Sequence, residues 1–134
     1  MSLVDLYECL CDLTRLRILN LLRDGPLCVC HIQEVLAEPQ VKISKHLGYL
    51  KSRGVVTASR EGNWMIYALP AKSTRPAALS AAIASFGESS SEKTLFKRDL
   101  AKLAKVDLAC SPLRQRKTKD SNEASACVCK PAPS

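Results

Sequence analysis

Six of the seven cysteines in this 134-residue chain fall into three Cys-x-Cys pairs, Cys9-Leu10-Cys11, Cys28-Val29-Cys30 and Cys127-Val128-Cys129, with Cys110 outside them. Thiolates are soft donors, so sites built from them suit As(III), Cd(II), Zn(II) or Cu(I), and not Mg or Ca. The spacing is one residue shorter than the Cys-x-x-Cys of thioredoxin-like motifs and zinc knuckles, and no doubled Cys-x-x-Cys framework is present. Residues 1–5 lack a positive region leading into an apolar core, which predicts no signal peptide and a cytoplasmic location. Thiols stay reduced there, and an odd cysteine count points to metal or redox chemistry over a disulfide scaffold.

Cys28-Val29-Cys30 is the informative pair, because it opens a helical segment. In a regular helix residues i and i+2 project about 200° apart. Gathering both thiolates onto one ion is therefore expected to distort the helix's first turn, which would make the pair a switch. The competing reading is two buried cysteines acting as small apolar side chains. Cys9 and Cys11 lie at a junction between helices, and Cys127 and Cys129 in a polar tail.

The second chemical feature is charge. The chain has 20 Lys and Arg against 13 Asp and Glu, a net +7. Residues 1–38 carry three basic and six acidic side chains, whereas residues 39–75 carry seven basic side chains against Glu61 alone. A basic middle third after an acidic first third describes a surface for a polyanion. Enzymatic signals are missing. There is no P-loop, Gly-x-Ser-x-Gly or His-x-x-x-His, and only His31 and His46 offer imidazole acid–base chemistry. No apolar run approaches the roughly 18–20 residues that span a bilayer.

The elements that position these residues follow from periodicity. Residues 3–10 read as a short amphipathic helix. A second helix follows Asp12 as cap and runs to Asp24-Gly25-Pro26. Residues 29–37 form a third helix, broken by Glu38-Pro39, and a fourth runs from Gln40 to Arg53 with Ile43, Leu47 and Leu50 as its buried stripe. Residues 55–60 and 64–69 are β-rich runs joined by Glu61-Gly62-Asn63, a hairpin. Helices over 75–86 and 92–106 complete residues 1–106, and residues 107–134 read as a disordered, cysteine-bearing tail.

Two short helices with a tight break, then a hairpin, make a mainly α winged helix-turn-helix. The second helix of such a motif enters the major groove, N-terminal residues first. Its outward face holds Lys42, Ser44, Lys45, Gly48 and Tyr49. Gln40 and Lys42 can address adenine and guanine or phosphate. His46 lies at the stripe's edge, Lys51 extends the basic face, and Arg60 and Asn63 mark the hairpin tip. Gly48 costs about 1 kcal/mol relative to Ala within a helix, which close approach of a DNA backbone would offset. Arg15 and Arg17 read either as phosphate contacts or as solvated surface.

The stretch from Asp12 to Tyr67, with Leu27-Cys28-Val29-Cys30 and Lys42-Ile43-Ser44-Lys45-His46-Leu47 inside it, resembles the ArsR family of winged-helix metalloregulatory repressors, in its arsenic-responsive branch. The cadmium- and lead-sensing branch shares the Leu-Cys-Val-Cys element. The resemblance implies a homodimer, paired through residues 3–10 and 92–106, that binds palindromic operator DNA without any cofactor. A trivalent arsenical, As(III) or its methylated form, then releases it by binding Cys28 and Cys30. Cd(II), Pb(II) or Zn(II), or thiol oxidation, are the alternative triggers. The sequence departs from the family where arsenic repressors often carry a third cysteine, since position 33 is Gln33. The third thiolate is then left to Cys11, Cys9, Cys110 or a tail cysteine, unless two suffice for a methylated arsenical.

Overall fold

The computed structural model describes residues 2–88 and 91–106. The expected tail, with Cys110, Cys127 and Cys129, lies outside the described residues. Helix α1 (Leu3–Cys9) starts at Ser2, whose hydroxyl accepts from the Asp5 amide at 3.0 Å. Helix α2 (Leu13–Leu22) is capped by Asp12 as the sequence predicts, with Oδ1 accepting from the Arg15 amide at 3.1 Å. These caps satisfy amides that have no partner within their own helix.

Strand β1 (Leu27–Cys28) runs directly into α3 (Val29–Leu36), and α4 (Gln40–Ser52) follows after Ala37-Glu38-Pro39. Strands β2 (Thr57–Glu61) and β3 (Trp64–Ala68) form the wing, and α5 (Ala77–Ser85) and α6 (Lys93–Lys105) close the described fold. The sheet has three antiparallel strands in the order β1-β3-β2, with Leu27 opposite Tyr67 and Cys28 opposite Ile66. β1 corrects the two-stranded reading. Two residues are too short to show an alternating pattern, and their apolar character merged with that of α3.

Helix α4 ends in a Schellman turn. Gly54 adopts φ +76°, its amide donates to Lys51 O, and the Val55 amide donates to Leu50 O. This turn carries Val55 and Val56 into the core, so β2 starts at Thr57 and not at Val55 as the β-rich run suggested. One hydrophobic core collects Ile18, Leu19 and Leu22 of α2, Ile32 and Val35 of α3, and the α4 stripe Ile43, Leu47 and Leu50. α4 is therefore held by its apolar face, with the opposite face turned to solvent.

Both arginines of α2 are engaged within the chain. Arg15 donates through Nε to Cys9 O and through Nη2 to Glu8 O, closing the C-terminal end of α1. Arg17 forms a two-pronged pair with Asp99 of α6, at 2.8 and 3.0 Å. Both are half-buried and tie α2 to neighbouring helices.

Candidate metal centre and nucleic-acid interface

Cys28 is the last residue of β1 and the N-cap of α3, with φ −88° and ψ 162°. An N-cap side chain leaves an extended backbone and folds back over the first turn, toward the second and third helical residues. Here those residues are Cys30 and His31. Cys28 Sγ lies 2.6 Å from Cys30 Sγ and 3.1 Å from His31 Nδ1. The expectation that Cys28 and Cys30 project to opposite sides of a helix is thus corrected, because only Cys30 is helical. The two sulfurs already face each other, without distortion of α3.

Electrostatics favour a thiolate. The Cys28 thiol is pulled down to about 5, first by its hydrogen bond with Cys30, against burial, and further by His31. The positive end of α3 acts in the same direction. Cys28 is therefore a soft donor biased toward its thiolate, with almost no exposure, while half-buried Cys30 gives the site its opening to solvent.

Cys28, Cys30 and His31 form a set whose donor atoms all lie within 4.8 Å of one another. The third cysteine donors expected from the sequence are not gathered there. Cys9 is fully buried in the core, where desolvation raises its thiol and leaves it inert. Cys11 is exposed, and neither joins the set within this chain. Cys110 lies outside the described residues. His31 is the residue that sequence reasoning passed over. Its signal was its position three residues after Cys28, which matters only once Cys28 is known to be an N-cap.

The expected DNA-facing residues fall into two groups. Lys42, Ser44, Lys45, Gly48 and Lys51 are exposed on α4, and Arg60 and Asn63 at the wing tip. Val41, in the first turn of α4, is 81% exposed. Gln40 and His46 are half-buried. His46 Nε2 lies 4.0 Å from Asp12 Oδ1, and burial lowers the imidazole pKa. Lys42 Nζ pairs with Glu38 at 3.2 Å, and Arg60 Nε donates to Gly62 O across the wing turn. Tyr49 differs from expectation. Its half-buried ring is stacked between Arg53 at 3.5 Å and Arg15 at 4.2 Å, packed against the core. Its electron-rich faces are thus occupied from both sides.

Among the described residues no helix is long and apolar enough to cross a membrane. The profile of the bacterial regulatory protein arsR family matches residues 12–58, the segment from the α2 cap to β2. An uncharacterized HTH-type transcriptional regulator of Methanocaldococcus jannaschii is 45% identical over 64 residues, covering 47% of this chain and 72% of that protein. The arsenical resistance operon repressor of Escherichia coli is 40% identical over 67 residues, covering 49% of this chain and 57% of the repressor. Against the arsenic regulators it matches, the chain thus spans little more than half their length. Among solved structures, the homodimeric winged helix-turn-helix DNA-binding domain of a possible ArsR-family regulator from Mycobacterium bovis aligns with TM-score 0.51 and 28% identity. That alignment covers 60% of this chain and 70% of the domain. Sequence, helix-turn-helix and wing agree: the chain belongs to the ArsR family of DNA-binding transcriptional regulators.

Proposed function

We propose that the chain is a cytoplasmic repressor that binds operator DNA as a homodimer, through α4 and the β2–β3 wing. It lets go when a thiophilic ligand, a trivalent arsenical, takes the thiolates of Cys28 and Cys30. One observation carries this reading. Cys28 belongs at once to β1, paired with wing strand β3, and to the first turn of α3, which packs on α4. A ligand seated between the sulfurs parts them from their 2.6 Å contact. Cys28 and Cys30 then separate, and either the β1–β3 pairing or the first turn of α3 gives way. Both consequences reach the DNA-facing surface.

Linkage fixes the size of effect the device needs. A coupling of about 1–3 kcal/mol changes DNA affinity about 5- to 150-fold, and DNA weakens ligand binding by the same factor. The name of the Escherichia coli relative, an arsenical resistance operon repressor, favours arsenic as inducer. Dimerisation is supported by α1, where Leu3, Val4 and Tyr7 are 60%, 66% and 56% exposed, and by half-buried Leu100 and Leu103 on α6.

The test is a DNA-binding titration with arsenite, monomethylarsenite, cadmium and zinc in parallel. Wild-type protein is released by the arsenicals. Cys28→Ser and Cys30→Ser bind the operator but are no longer released. Normal release of both variants would place the switch elsewhere. Silence to arsenite and monomethylarsenite beside a response to cadmium would transfer the inducer to a divalent metal, and release by peroxide reversed by a dithiol would make the site a redox sensor.

A further inference from the structure

The thiolate pair supplies two donors, and a divalent cation at a protein site takes at least three. The residue gathered beside the pair is His31. Its imidazole is fully buried, and its Nδ1 faces Cys28 Sγ at 3.1 Å. Its other nitrogen, Nε2, is buried with no hydrogen-bond partner among the described residues.

We propose, building on the sensing role given above to Cys28 and Cys30, that His31 is the third donor of this site. It makes a Cys2His centre for a divalent cation of the Zn(II) or Cd(II) type, and it is not a donor to trivalent arsenicals. The chemistry of the donors separates the two ligand classes. Imidazole nitrogen suits zinc well, whereas As(III) seeks sulfur. A tetrahedral zinc ion, with Zn–S near 2.3 Å and Zn–N near 2.0–2.1 Å, sets its donors about 3.8 Å (S···S) and about 3.6 Å (S···N) apart. The structure holds Cys28 Sγ 2.6 Å from Cys30 Sγ and 3.1 Å from His31 Nδ1. The ion therefore has to part the sulfurs by about 1 Å and the imidazole by less. Both movements fall on the β1–α3 junction, the same linkage through which the sensing pair acts.

X-ray absorption at the zinc edge of the full chain loaded with Zn(II) tests this on the unaltered protein. The expected first shell contains two sulfurs near 2.3 Å and imidazole nitrogen near 2.0–2.1 Å. The chain has two histidines, so His46→Gln, which keeps the imidazole signal, assigns it to His31. His31→Gln and His31→Ala lose that signal and weaken Zn(II) binding about tenfold or more, well beyond any loss of monomethylarsenite affinity. A shell of sulfur alone overturns the proposal. So does a folded His31→Gln variant, checked by circular dichroism, with wild-type Zn(II) affinity. Failure of the wild type to bind Zn(II), while arsenicals still release DNA, overturns the role of His31 and leaves the sensing pair standing. Undiminished release of Cys28→Ser and Cys30→Ser overturns the sensing pair itself.

Discussion

Cys28 and Cys9 are the same residue type with opposite chemistry, and backbone position separates them. Cys9 lies in the core, where burial raises its thiol. Cys28 caps a helix beside a second thiol and an imidazole, and is pulled down to about 5. The repeated Cys-x-Cys spacing singled out the pair from sequence, but convergence of the sulfurs depends on one extended residue next to one helical residue. Periodicity treats both as helical, which is why the pair was expected to diverge and why His31 was overlooked. Gly48 was legible for the opposite reason, since a glycine within an amphipathic helix is visible as a cost. A Cβ built there meets nothing within 4 Å, so the fold does not require glycine. Gly48→Ala is therefore expected to raise stability by about 1 kcal/mol in urea titration while weakening operator binding. A stabilised variant with undiminished DNA affinity would remove Gly48 from the interface.

Among the elements, the tight break of the helix-turn-helix rests on a strained residue. Ala37, the C-cap of α3, adopts φ 54° and ψ 39°, with its amide donating to Gln33 O at 2.9 Å. The left-handed conformation costs a non-glycine residue about 1–2 kcal/mol, and glycine's extra unfolded-state freedom returns about 0.5–1 kcal/mol of that. Ala37→Gly should therefore stabilise the protein by about 0.5–1 kcal/mol, read as a rise in urea midpoint at unchanged slope. A lower midpoint would contradict the turn geometry. The break itself was legible in Glu38-Pro39, because proline cannot continue α3. The six helices were legible too, to within a residue or two at their ends, because each buries a stripe of apolar side chains at helical spacing. Strand β1 was not. Only its pairing with β3 makes Leu27–Cys28 a strand, and that pairing depends on residues nearly 40 positions away. The same strand links the cysteine pair to the wing, so the pair and the helix-turn-helix were legible in the sequence without the connection between them.

For the whole molecule, the uneven charge distribution was the legible feature, and the basic face of α4 follows it. The acid that matters most inside the fold was not. Asp99 lies in a basic helix, with its carboxylate 1% exposed, and is gripped by Arg17, 82 residues earlier. Asn20 reinforces the junction by donating to Phe96 O at 3.1 Å. Both bonds fix α6 on α2, and α6 is one of the helices assigned to pairing of two copies. Removing one member of a buried, two-pronged pair leaves the other desolvated and unmatched. Replacing both with apolar side chains of similar volume is often nearly neutral. Asp99→Ala is therefore expected to cost about 3 kcal/mol, the lower end for such pairs because Arg17 keeps some solvent contact. Arg17→Met combined with Asp99→Leu should recover most of that loss. Urea titrations at one fixed protein concentration measure both, since folding of a dimer depends on concentration. If the double variant is as unstable as Asp99→Ala, the pair supplies net attraction beyond matching its own desolvation. If Asp99→Ala is neutral, α6 is not anchored through this pair.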